Sequence, residues 1–298
     1  MGEKDLSEKL LEDYNDVFAD IVNGFLFEGK PVVNPKSLKN TAVHSQYKAD
    51  KGKLHEQERD VVKKWTSGNV DIAICGIENQ SEPDKYMPMR IIGYDGAAYR
   101  SQLLDKKPKP VPVITIVLYF GTEKRWNYDV NLKSLFKIPE GMEKYVNDYK
   151  VNVFEVAWLS GKELSRFSSD FKIIANFFVN KRKDKNYTPN DTTKIKHLEE
   201  VLKMLSVITN DESYEKILEL PPNERKDVDN MDTALQNLLS QGRAEGEAKG
   251  IAKGTAQTVY EFVRDNIITP SQGAEKLNIS VRKLKADMKK AGFSFPQK

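Results

Sequence analysis

"DIAICGIENQ" (71–80) opens as an apolar run of the kind a folded chain buries, yet it closes on Glu78, Asn79 and Gln80. Side chains of a strand alternate between faces, so Ile72, Ile74, Gly76, Glu78 and Gln80 share one side and Cys75 takes the other. The preceding "ERDVVKKW" (58–65) also has strand character, and "TSGN" (66–69) supplies the turn of a hairpin. In such a hairpin Asp60, which shares a face with Glu58, approaches Glu78 across the ladder. Two carboxylates repel one another in a partly dry site. A divalent cation removes that penalty, and Mg²⁺ (or Mn²⁺) suits carboxylate oxygens combined with water and a backbone carbonyl such as that of Asn79. A metal held there can activate water and stabilise the charge of a phosphodiester in its transition state. The structural alternative is a Glu78 that caps a loop or pairs with Arg59 or Arg90.

The surrounding pattern is that of an α/β protein. Residues 6–25 place Leu6, Leu10, Leu11, Val17, Phe18, Ile21, Val22 and Phe25 at approximately helical spacing, and Gly29 is a plausible stop. Residues 30–57 read as polar and irregular. A turn at "SEPD" (81–84) leads into a helix over about 87–104. "VPVITIVLYFG" (111–121) is continuous and β-branched, as in a strand buried on both faces. A further strand is expected at 149–159, and helices at about 162–181, 191–208 and 212–219. "ELPPNERKD" (219–227) breaks the pattern and makes a domain boundary.

Three segments follow from this: residues 1–222, a connecting stretch 223–256, and a small end domain 257–298. In the connecting stretch Gly242, Gly246, Gly250 and Gly254 recur every four residues, as do Ala244, Ala248, Ala252 and Ala256. On a helix these form stripes of small residues that suit a close contact and a homodimer, while the cost of interior glycine favours a semi-flexible linker. Residues 257–298 hold eight Lys/Arg and four acids, a charge of +4 against +3 for all 298 residues, so the remainder carries −1. Pro270 suits the first turn of a helix, "NIS" turns the chain, and Val281, Leu284 and Met288 mark the buried side of a final helix. Arg282, Lys283, Lys285, Lys289 and Lys290 then face outward. This is similar to a helix-turn-helix with its last helix in the DNA major groove; a structural helical hairpin gives a similar pattern.

Composition excludes several classes. Charged residues at 31% and the lack of any apolar stretch near 18–20 residues point away from a membrane protein. The polar start "MGEKDLSEKL" lacks a signal-peptide core, so a cytoplasmic protein is expected. The single cysteine, Cys75, rules out an internal disulfide and reads as a buried thiol. His44, His55 and His197 match no HExxH spacing.

"ERDVVKKW", "GIENQSEPDKYMPMRIIGYDGAAYRSQL", "PVITIVLYFG" and "RWN" (125–127) occur in that order. Together they strongly resemble the Rpn family of recombination-promoting nucleases, also labelled transposases, within the PD-(D/E)XK superfamily; the resemblance covers roughly residues 8–160. It implies a restriction-endonuclease-like core, a mixed β-sheet flanked by helices, here followed by a helical C-terminal extension. It further implies metal-dependent DNA cleavage, with Asp60 and Glu78 as metal ligands and Gln80 in the place of the superfamily lysine. Gln80 offers hydrogen bonds but no charge; Lys63 or Lys64 is a conceivable substitute. The literal Pro83–Asp84 falls after the Glu78 strand and reads as a decoy. Arg90 and Gln102 are expected to contact the phosphate backbone or to support the carboxylates, unless they serve ordinary packing. Asp16 and Asp20 read as surface acids or as a further ligand. The competing expectation is a DNA-binding or assembly protein on a nuclease fold with little catalysis.

Overall fold

The computed structural model describes residues 11–41, 44–48, 54–58, 61–68, 70–104, 108–209, 213–219 and 228–296. They divide into two compact units, Met1–Leu235 and Gln236–Lys298. In chain order the first contains α1 (Asn15–Leu26), β1 (Leu38–Asn40), β2 (His44–Lys48), β3 (Leu54–Glu58), β4 (Val61–Ser67), β5 (Val70–Gln80) and α2 (Met87–Gln102). It continues with β6 (Val113–Tyr119), β7 (Asn152–Glu155), α3 (Gly161–Leu164), α4 (Phe171–Lys183), α5 (Leu198–Thr209) and α6 (Ser213–Lys216). Helix α7 (Met231–Arg264) runs on into the second unit, which ends with α8 (Pro270–Lys276) and α9 (Val281–Lys290).

Five strands form a mixed sheet in the order β1-β4-β5-β6-β7. β4 and β5 are the antiparallel arms of the expected hairpin, with Val61 opposite Ile77 and Lys63 opposite Cys75. β6 lies parallel to both β5 and β7, which explains its unbroken apolar run: it is covered on both faces. One face packs under α2, where Met87, Ile91 and Tyr94 meet Val117 and Val151, and Ala98 meets Val62, Ile74 and Val113. The opposite face lies under α1, whose buried Val17, Phe18, Ile21 and Val22 follow helical spacing. α1 stops after Leu26 because Glu28 and Gly29 both take positive φ, 54° and 85°.

Residues 30–57 depart from the polar, irregular stretch expected of them. They contain β1, which pairs with β4, and a separate two-stranded hairpin of β2 and β3. "HSQYK" and "LHEQE" lack the β-branched alternation of a half-buried strand, so main-chain pairing creates a hairpin that side-chain pattern does not announce. The helix expected over 162–181 is two helices. Asp20 of α1 accepts from the main-chain N–H groups of Ser168 and Ser169 at 2.9 and 2.8 Å, which holds the intervening turn open. The strand expected at 149–159 is short, giving way to a 3₁₀ turn at Val156–Trp158.

In the second unit Val259, Tyr260 and Val263 of α7 pack with Ala274, Leu284 and Met288. Residues 223–256, open to either a linker or a helix, are helical from Met231 onward. A Cβ on Gly242, Gly246, Gly250 or Gly254 would meet nothing within 4 Å. Among the described residues no helix is long and apolar enough to cross a membrane.

Candidate active site

β5 reaches the carboxyl end of the sheet with Glu78 beside Val117 and Gln80 beside Tyr119 of β6. Both side chains lie on the α2 face, and the Glu78 side chain is only 3% exposed. Gln80 Nε2 stands 3.4 Å from Glu78 Oε1. Arg90, on the first turn of α2, donates through Nη2 to the same Glu78 oxygen and through Nη1 to Asp84 Oδ2 at 3.1 Å. Asp84 is itself fixed by the main-chain N–H of Tyr86, which donates to its Oδ1 at 2.8 Å. Burial works against the charged guanidinium, but Glu78 and hydrogen bonds with Tyr94 and Asp84 outweigh it and raise the pKa of Arg90. Arg90 stays charged, and with 39% of its side chain exposed it also faces solvent.

The positive charge at this spot is therefore an arginine from the helix rather than a lysine from the strand. Lys63 is fully buried on the opposite face, where it donates to Asp13 at 2.9 Å and Asn40 at 2.6 Å. Lys64 shares the Glu78 face but stands opposite Ile74, four residues short of Glu78 along the ladder, and donates to Asp71 at 3.1 Å. Neither supplies charge beside Gln80. Asp84 does fall after the Glu78 strand, as expected of a decoy for the acidic motif, and it helps to hold Arg90. Its signal in the sequence is local: an aspartate two residues before a main-chain N–H at a helix start forms such a turn.

Asp60 lies outside the described residues. The side chain of Asn79 points to the α1 face and donates to the fully buried Glu12 at 2.7 Å. Gln102 sits twelve residues beyond Arg90, about 18 Å along α2. Its amide donates to the Val111 carbonyl at 3.2 Å and accepts from the Val111 N–H at 2.7 Å, clamping the chain that enters β6. Arg282, Lys283, Lys285 and Lys289 are all exposed on α9 of the second unit. The two acids of α1 are engaged elsewhere. Asp16 accepts from Lys196 at 2.7 Å and pairs with His197 Nε2 at 3.1 Å, while Asp20 anchors Ser168 and Ser169. Cys75 is buried on the α1 face, and burial pushes its thiol up to about 12, which makes it inert.

Among the described residues no group of three His, Cys, Asp or Glu side chains is placed to hold a metal. Glu78 does bring a hard carboxylate oxygen of the type that Mg²⁺ takes, held on a rigid strand, while Gln80 turns its Nε2 toward it. A carboxylate oxygen is a donor that a divalent cation can take, and Arg90 is the group that would have to share Glu78 with it.

No curated protein and no solved structure matches the chain. The family model described as "Putative transposase, YhgA-like" matches residues 54–212, which takes in β3 to α5 and hence Glu78, Gln80, Asp84 and Arg90. Membership of a transposase-type family points to a function connected with mobile elements. With more than half its length matched, the chain belongs to this YhgA-like family, the family of the Rpn-like proteins.

Proposed function

We propose that this protein is a metal-dependent DNA endonuclease that hydrolyses phosphodiester bonds in the cytoplasm, in recombination or another mobile-element process. The observation that carries this reading is the buried Glu78 at the carboxyl end of the central strand, flanked by Gln80 and faced by a solvent-accessible guanidinium. A strand fixed in the middle of a sheet positions donors better than a loop does. Glu78 and Asp60, with the Asn79 carbonyl, are the proposed ligands for Mg²⁺ or Mn²⁺, which when bound supplies Lewis acidity to water and to the phosphoryl group. Gln80 orients water through its amide. Arg90 keeps the Glu78 carboxylate charged and in place, and presents planar N–H donors suited to a phosphodiester oxygen.

A second reading is favoured by the same pair. Arg90 already neutralises Glu78, and Gln80 brings no charge, which suits a DNA-binding or assembly protein with little catalysis. Nicking of supercoiled plasmid by wild type, Asp60→Ala and Glu78→Gln, with Mg²⁺, Ca²⁺ or EDTA, separates them. The nuclease reading expects cleavage that needs Mg²⁺ and both carboxylates. DNA binding without cleavage under any metal would replace it with the second reading.

A further inference from the structure

Residues 257–296 belong to the second unit and have a helical core of their own. α8 has seven residues and begins in a capping box, in which Thr269 Oγ1 accepts from the Gln272 N–H at 3.2 Å and the Thr269 N–H donates to Gln272 Oε1 at 2.9 Å. Four residues, 277–280, turn the chain. Asn278 takes a left-handed φ of 52°, and the Ile279 N–H donates to the Ala274 carbonyl at 3.0 Å. Ser280 then caps α9 by accepting from the Lys283 N–H at 3.2 Å. Gly273 completes the arrangement: a Cβ there would lie 2.5 Å from Val263 and 3.4 Å from Leu284, so α7, α8 and α9 meet at a bare backbone. Caps at both helix starts and a close contact between all three helices fix the angle of α8 to α9. A solubilising tail needs no such fixed angle, whereas a helix that enters a groove does.

α9 spends its apolar side inward, with Leu284 and Met288 both fully buried. What it leaves outside is basic. Arg282, Lys283, Lys285, Lys289 and Lys290 are exposed, against one acid, the half-buried Asp287 near Tyr260. Arg282, Ala286 and Lys289 follow i, i+4 and i+7 down the outward side, and Lys285 flanks them above the Phe295 ring, 5.4 Å from its centroid. The helix is about 15 Å long, a length the major groove admits.

We propose that the second unit is a helix-turn-helix module for double-stranded DNA, with α9 as the helix that enters the major groove. Arg282, Lys285 and Lys289 meet the duplex, and Lys283 lies on the adjoining side. Charge complementarity selects the partner. A membrane-surface helix needs an exposed apolar face opposite its lysines; the apolar face of α9 is consumed by the core, and Val281 is its one exposed large apolar residue. The assignment shares a partner with the cleavage reading but rests on neither Glu78 nor a metal.

Binding of the full chain to a labelled duplex in EDTA, from 50 to 200 mM KCl, tests it. Each phosphate contact adds about 0.9 to the slope of log affinity against log salt. Replacing three contacting cations in Arg282→Gln/Lys285→Gln/Lys289→Gln is expected to flatten the slope by about 2.7. Wild type then loses about 40-fold more affinity than the variant over that range. These side chains are exposed, so the circular dichroism and melting of the variant should match wild type. Unchanged affinity and slope would overturn the module. So would duplex binding that survives while binding to anionic phosphatidylglycerol vesicles is lost. Plasmid nicking by the same variant keeps the two readings apart, since cleavage with an unaltered slope removes this module alone.

Discussion

Arg90→Met probes the contact on which the β5 site depends. Wild-type Glu78 is 3% exposed and its carboxylate receives the Arg90 guanidinium. Removing one partner of a buried ion pair typically costs about 3–5 kcal/mol. Arg90 is 39% exposed, so solvent screens part of that attraction, and about 2 kcal/mol is the expected loss. For a unit of this size that corresponds to a fall in Tm of roughly 4–8 °C. Tryptophan fluorescence is a suitable signal, because Trp65, Trp126 and Trp158 all belong to the first unit. Urea unfolding of wild type, Arg90→Met, Glu78→Gln and the double variant closes a cycle in which the contacts of Arg90 with Asp84 and Tyr94 cancel. In the Glu78→Gln background Arg90→Met should cost at least about 1 kcal/mol less than in wild type. If the two substitutions add without coupling, the electrostatic account of this site is wrong.

Two glycine substitutions should act in opposite directions. Gly273→Ala forces a methyl against Val263 and is expected to destabilise the second unit by roughly 1–3 kcal/mol. Gly250→Ala, with open space around it, should stabilise α7 by up to about 1 kcal/mol; thermal melts followed at 222 nm read both. Asp16 gives a pH prediction. Partial burial raises its pKa, but Lys196 and His197 outweigh this, so its folded value lies below the ordinary 3.8. Its contribution is thus present above about pH 3.8 and fades as pH falls through the folded value. Asp16→Asn should therefore lower the stability read by urea unfolding at pH 7 by roughly 1 kcal/mol, and lower it less at pH 3, below the ordinary value of 3.8. An equal loss at both pH values would show that charge is not the source.

Local pattern carried much of the architecture. The β-branched run of β6 has few places to go except a strand covered on both sides, and parity alone put Glu78 and Gln80 on one face of β5. Pro270 at a first turn and the turn at "NIS" announced the short helices at the end of the chain, because both signals act within a few residues. Strands β1 to β3 were hidden for the converse reason: they are polar, and only pairing with other strands makes them strands.

Placement of charge was decided by the tertiary fold. Nothing local tells Lys63 from Lys64, yet one is fully buried against Asp13 and Asn40 and the other lies at the surface beside Asp71. Likewise Arg90 and Gln102 are both polar residues of one helix. Only the packing of α2 on the sheet sends Arg90 to Glu78 and Gln102 to the main chain of Val111. The sequence by itself determined which residues alternate and which run is apolar, since these depend on near neighbours; it placed the start of α5 at about 191, whereas that helix begins at Leu198. Which helix covers which face, and hence which cation meets the buried carboxylate, depends on contacts between distant segments that only the folded chain brings together.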